Sequence, residues 1–342
     1  MGVNLSGLTE FKTIELSDLC GKTVAIDAYN TIYQFLSIIR QPDGNPLNDK
    51  NGRITSHLSG ILYRTSNLIA QGIEPSFVFD GKPNVLKKAT LDKRKDIRDK
   101  ATIEWETAKE EGDIKKAFSK AQQTSRMTPE IRTSAKELID YLGLPIIDAP
   151  SDGEAQAAYM CKKGDVYASA SQDFDSILFG APTLVRNLTI TGRRKIPGKE
   201  QYRDVKTELI NSQEFFDSLD ITREQLVDVC ILMGTDFNPG INGIGPKKGL
   251  KLIKENGDLE HALHTIGEEI PEYQDIRDIF LNSTYSDDYD LKPKNIDRDA
   301  VIEMMKGYDF SQDRIENTLN KIEDSRKANI AKKKQRSLDS WF

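Results

Sequence analysis

Apolar runs alternate with helical spacing through the first two thirds of the chain. Lys22–Asp27 (KTVAID) and Glu74–Asp80 (EPSFVFD) are short apolar runs that each end in an aspartate, and both read as buried strands. Between them Leu58, Ile61, Leu62, Thr65, Leu68 and Ile69 recur at helical spacing and predict a helix over 56–71. Strand, helix and strand in that order predict a crossover connection and a parallel pairing. A further amphipathic helix is expected at Pro129–Leu142, closed by Gly143, and a strand at Leu144–Ile147. A helix at Asp152–Lys163 and strands at Val166–Ala170 and Thr183–Asn187 continue the alternation. The expected class is α/β, a mixed or parallel sheet flanked by helices.

Two stretches depart from this pattern. Residues 84–125 are highly charged and show no core-facing stripe, so they predict a projecting helical element. From about Thr222 the chain reads as mostly helical, and 326–342 reads as a flexible basic tail. No apolar stretch approaches the ~20 residues that span a bilayer, and no basic-then-apolar leader opens the chain. Neither a membrane partner nor a targeting segment is expected. Cys20, Cys161 and Cys230 are widely spaced and odd in number, which predicts reduced core thiols.

The net charge of −6 conceals a sorting of charge. Lys82–Lys100 holds eight basic residues against three acids, and Arg326–Arg336 holds six with none. The remainder is strongly acidic. Basic strips of this kind bind polyanions through counterion release, whatever the total charge.

The acids carry the chemistry. Asp27, Asp80, Asp152, Glu154, Asp173, Asp175 and Asp236 sit where strands or small-residue turns end. In open α/β sheets, strand carboxyl ends form the crevice where ligands bind. Carboxylates converging there repel one another unless divalent cations neutralise them. Each acid also has a plainer role: Asp27 and Asp80 as turn caps, Glu154 in a capping box with Ser151, Asp173 as the cap of a short helix. These roles leave Asp152 and Asp175 unexplained.

A second motif, Gly240–Lys248 (GINGIGPKK), places Gly243, Gly245 and Pro246 before a helix expected at Gly249–Lys254. Amides at such a helix start hold phosphate, and Lys247 and Lys248 add charge. The plainer reading is a glycine-rich corner between helices.

The segments VAIDAYNTIYQF, FVFDGKP, DAPSDGEAQAA, SQDFDSILFG, LMGTDFNPGINGIGPKKG and QRSLDSWF occur in order along the whole chain. Together they resemble the XPG-type family of structure-specific 5′ nucleases, in the compact form of archaeal flap endonucleases. One position departs from that pattern: residue 152 is Asp where the family has Glu, which puts metal preference in question.

The resemblance implies a PIN-like sheet with a helical arch at about 82–125 and a helix–two-turn–helix element at about 226–257. These would lie within one nuclease domain spanning 1–325, with an N-terminal region 1–100 and an internal nuclease region 126–257. It implies two Mg²⁺ ions, with Mn²⁺ able to substitute. Asp27, Asp80, Glu154 and Asp152 would serve one ion, and Asp173, Asp175 and Asp236 the other. Lys87 and Arg94 would meet the scissile phosphate. The implied DNA contacts are Gly2, Tyr33, Arg40, Arg64, Lys87, Arg94, Glu154, Gly234, Asp236, Gly243, Gly245, Lys247 and Lys248. Gln335, Leu338 and Trp341, three apart in one-turn spacing, would with Phe342 form a box for a sliding clamp (PCNA). The expected activity is 5′-flap cleavage with 5′–3′ exonuclease action by a monomer, in Okazaki-fragment maturation and base excision repair. An archaeal source would place it in the cytoplasm and a eukaryotic one in the nucleus. Two other readings remain at this point, a clamp-tethered junction-binding protein and a junction resolvase or excision-repair nuclease.

Overall fold

The computed structural model describes residues 2–190, 192–195 and 202–339. Its centre is a seven-stranded sheet. The strands, in chain order, are β1 (Lys12–Ile14), β2 (Thr23–Asp27), β3 (Glu74–Phe79), β4 (Ile146–Asp148), β5 (Ala168–Ala170), β6 (Thr183–Arg186) and β9 (Thr207–Asn211), while β7 (Gly192–Lys195) and β8 (Tyr202–Val205) pair separately as a hairpin. The order across the sheet is β1-β9-β6-β5-β2-β3-β4. The five strands from β6 to β4 pair in parallel, and β9 runs antiparallel to both β6 and β1. The sheet is therefore mixed. β1 and β9 escape a reading of the sequence because KTI and TELIN are short and half polar, so distant pairing decides them.

The strand period of two sorts the core. In β2, Val24 and Ile26 face one core while Ala25 faces another; in β3, Phe77 and Phe79 oppose Val78 in the same way. The first core is covered by the helices Ala28–Ile38 and Pro129–Tyr141 and by the C-terminal helix Gln312–Asp339. The other face is covered by the helix Gly153–Lys163. A third apolar cluster joins Val3 and Leu5 to Phe174, Ile177 and the helix Arg223–Met233.

Several expectations are corrected. The segment 56–71 is broken by a π-helical turn at Gly60–Arg64, and Gly60 lies so close to Phe35 that a Cβ would stand 2.3 Å from its ring. The last helix continues through the start of the segment read as a basic tail and ends at Asp339. Ile315, Leu319 and Ile322 anchor that helix in the first core, and Arg326 donates to the carbonyls of Leu142 (3.2 Å) and Lys294 (3.3 Å). Cys161 and Cys230 are buried, but Cys20 is exposed. No helix among the described residues is long and apolar enough to cross a membrane.

Candidate metal and DNA site

Strand ends deliver the acids. Asp27 closes β2 and caps the helix Ala28–Ile38, accepting from the Asn30 amide at 3.0 Å. Its capping role is thus real, but it leaves the second carboxylate oxygen to the crevice. Asp80 follows β3 and accepts from the Gly153 amide at 2.7 Å. Asp152 is the N-cap of the helix Gly153–Lys163 without a side-chain capping bond, so Glu154 lies in its first turn and faces the other acids. Asp173 accepts from Asn30 Nδ2 at 2.9 Å. Asp175 accepts from the Val3 amide at 2.7 Å. Gly2 is pressed against this carboxylate, where a Cβ would stand 2.5 Å from Oδ2.

The electrostatics show that these groups share one space. Burial, then the charges of Asp175, Asp27 and Asp173, hold the Glu154 carboxyl well above its usual range. Its Oε1 is buried without a hydrogen-bond partner. Burial, then Asp80 and Asp173, raise Asp27. Burial, then Asp173 and Asp236, push Asp175 up to about 7. Asp80 is raised by burial, partly opposed by Lys87. Buried carboxylates that raise one another, with one oxygen left unpartnered, form a donor set suited to hard divalent cations. Among the described residues no three such side chains stand closed around a single point.

Two cations from the arch enter instead. The arch consists of the helices Lys88–Glu110 and Ile114–Ala121, joined at Gly112. Lys87 Nζ pairs with Asp152, and Arg94 Nη2 pairs with Asp236 at 2.5 Å. Burial alone would lower the Lys87 ammonium, but Asp152, Asp80 and Asp236 outweigh it and hold the group firmly protonated.

Asp236 lies in the link between the helices Arg223–Met233 and Pro246–Asn256. Thr235 donates through its hydroxyl to Asn238 Oδ1 at 2.8 Å, and Asn238 donates to the Ile231 carbonyl at 2.8 Å. Gly234 has φ +99°, and a Cβ there would strike the Pro239 carbonyl at 2.7 Å. This locks the turn that presents Asp236. Gly245 caps the second helix without a side chain, and Lys247 and Lys248 are exposed beside it. That helix begins at Pro246, three residues before the start expected from the sequence.

Other expected DNA contacts are occupied within the protein. Arg40 donates to the carbonyls of Leu36 (2.9 Å) and Gly44 (2.8 Å) and to Ser125 Oγ (2.9 Å), and burial lowers it to about 10. Arg64 donates to the Thr189 carbonyl at 2.6 Å. Tyr33 is half-buried, with its hydroxyl 3.4 Å from the Met127 amide that donates to it. Gly243, at φ +78°, is open to solvent. Gln335 and Leu338 fall on the last helix, and Trp341 and Phe342 lie outside the described residues. Sequence reasoning passed over Asn30, whose signal was a polar side chain in the first turn after a strand-end acid.

Residues 4–101 match the XPG N-terminal domain, and residues 143–236 the XPG I-region. The Flap endonuclease 1 of Pyrococcus abyssi is 51% identical over 344 residues, covering 100% of this chain and 98% of its own. The chain belongs to the flap endonuclease family. Another flap endonuclease of that name, from Methanococcoides burtonii, is 49% identical with 100% of both chains covered. The solved flap endonuclease-1 from Methanococcus jannaschii superposes with a TM-score of 0.75 at 37% identity, over 95% of this chain and 98% of its own. The catalytic core of Rad2 in complex with DNA substrate shares the fold, with a TM-score of 0.65 at 22% identity, over 91% of this chain and 96% of its own. In flap endonuclease terms, the acid crevice lies between the sheet and the arch.

Proposed function

We propose that this chain cuts DNA at the base of a 5′ flap, near the junction of single and double strand, with accompanying 5′–3′ exonuclease action. Family membership makes it a structure-specific endonuclease that hydrolyses DNA phosphodiester bonds. Nucleases of this family depend on metal ions. The observation that carries the finer reading is the buried, mutually repelling acid cluster beneath two arch cations.

Asp27, Asp80, Asp152 and Glu154 would hold one Mg²⁺ and Asp173, Asp175 and Asp236 a second, with Mn²⁺ able to replace them. When bound, the ions supply an activated water and neutralise charge developing on the phosphate. The chain's own groups do the rest. Main-chain amides of Asn30, Gly153 and Val3 fix the directions of Asp27, Asp80 and Asp175 before substrate arrives. Lys87 and Arg94, freed from Asp152 and Asp236, meet the scissile phosphate and offset its charge. The amides at the start of the helix Pro246–Asn256, with Lys247 and Lys248, grip a duplex phosphate. Gly243, Tyr33, Arg40 and Arg64 border the DNA path, and selection is by shape and not by base.

The near-complete overlap with flap endonucleases of known sequence favours this reading over a junction resolvase or a purely junction-binding protein. A monomer recruited by a sliding clamp through Gln335, Leu338, Trp341 and Phe342 would act in Okazaki-fragment maturation and base excision repair. Cleavage of an end-labelled double-flap DNA in Mg²⁺, beside intact duplex and single strand, tests the reading. Cutting confined to the flap substrate supports it, and binding without cutting would move the case to the junction-binding alternative. Deleting 335–342 should leave unassisted cleavage intact and abolish stimulation by the clamp; persisting stimulation would exclude that box.

A further inference from the structure

Glu154 lies in the first turn of the helix Gly153–Lys163, and the far side of this helix is fastened in an unusual way. Gln156 is fully buried. Its Nε2 donates to the Ser286 carbonyl at 2.8 Å, and its Oε1 accepts from the Ser286 amide at 2.8 Å. Both ends of one amide are thus matched to a single main-chain residue 130 positions away. Three residues on, Tyr159 stacks on Tyr285 with centroids 3.7 Å apart and donates to Asp287 at 2.7 Å. Lys163 pairs with the same Asp287 at 2.8 Å and lies 3.4 Å from the Tyr289 hydroxyl. Tyr289 and Leu291 then pack on the core beneath the helix.

Helix geometry makes these contacts functional. Residues two apart lie about 200° apart around an α-helix. Glu154 and Gln156 therefore point in opposite directions, one into the acid crevice and one into the segment behind. Gln156 and Lys163, seven apart, share a face. A helix gripped along that face cannot rotate about its axis without breaking the Gln156–Ser286 pair. Ser171 hydrogen-bonds the Glu154 carboxylate while its Oε1 stays unpartnered, so the rotation of the helix helps decide where that free oxygen points. The irregular segment also follows directly from the helix Tyr273–Leu281, which is tied to the helix Arg223–Met233 through Arg277 and the buried Asp228 at 3.2 Å.

We infer that residues 282–291 form a strap that sets the rotation of the helix Gly153–Lys163, with Gln156 the positioning residue for Glu154. The inference rests on the reading of Glu154 as a metal ligand under Proposed function. A ligand aimed by a remote pin contributes to metal affinity even though the pin never touches the ion, as groups behind metal ligands do.

Titration of the full-length protein with Mn²⁺, followed calorimetrically without DNA, is the test. Gln156→Ala should weaken Mn²⁺ binding on the order of 10-fold while flap binding in Ca²⁺ stays within about twofold. Cleavage by the variant should recover as Mn²⁺ is raised. Tyr285→Ala, which removes an exposed ring, should weaken Mn²⁺ in the same direction by about threefold. A purely packing role would lower the melting temperature and leave the Mn²⁺ titration of the folded protein unmoved, which overturns the inference. Should Gln156→Ala fail to fold, Tyr285→Ala decides alone, and unchanged Mn²⁺ affinity there also overturns it. Wild-type protein that takes up no Mn²⁺ would instead refute the metal reading itself.

Discussion

The floor of the crevice and the arch above it hold opposite charges by opposite means. On the floor Asp27 and Asp175 are 7% and 4% exposed, and their directions are set by main-chain amides. The arch helix Lys88–Glu110 buries only Ala101 and Ala108, and the arch leaves Leu91, Ile97, Ile103 and Ile114 exposed. Its two inward cations rest on the floor's own acids. The floor is organised before substrate arrives, at the cost of forcing like charges together. The arch is held by few contacts, which is the condition for opening locally at low cost. A site that must admit a strand and then act on it needs both kinds of construction.

The comparison breaks most visibly if a floor acid proves dispensable. Asp175→Asn should reduce cleavage by at least about 10³-fold while flap binding persists, measured by single-turnover kinetics beside a binding isotherm. Retained turnover would remove Asp175 from the reaction. Arg94→Ala should slow the chemical step by roughly 10²-fold with flap affinity changed only about threefold. An equal loss in both would make Arg94 a general phosphate contact.

Stability offers a control outside both regions. His57 is buried, with Nε2 2.8 Å from Ser134 Oγ, and burial lowers its pKa to about 4. The unfolded imidazole takes up a proton near 6.5 while the folded one resists, so this contribution is complete above pH 6.5 and is lost as pH falls toward 4. The loss should be about 3 kcal/mol, and His57→Gln should flatten it in denaturant melts across that window. An unchanged slope would locate the acid sensitivity elsewhere.

The smallest effect separates floor from arch by sign. In chelator at pH 8, Glu154→Gln relieves repulsion among buried acids and should raise the melting temperature by about 2–4 °C. Arg94→Ala removes a neutralising charge and should lower it by about 2 °C or less. Shifts in the same direction would mean that the two regions are not electrostatically opposed.

Much of the floor was legible because apolar strands ending in Asp27 and Asp80 announce themselves within a few residues, and β2 and β3 lie where those runs predict. The pairing of Lys87 with Asp152 and of Arg94 with Asp236 was not legible, since it depends on where the arch folds back. Arg40 and Arg64 were expected to meet DNA, yet Arg40 binds the carbonyls of Leu36 and Gly44 and Arg64 the distant carbonyl of Thr189. Gln156 gave only a faint signal, a long polar side chain set among Ala155, Ala157 and Ala158. Its partner lies too far along the chain for any local pattern to show.

The tip of the arch is also a seam. Gly112 is exposed, with φ +72° and open space where a side chain would stand, the kind of position where chains tolerate cuts and insertions. Opened there, the polypeptide would leave Asp27 and Asp80 on one fragment and the other five acids on the second. Neither fragment would carry a complete cutting centre, so joining them on command would turn the arch into the switch of a conditional nuclease.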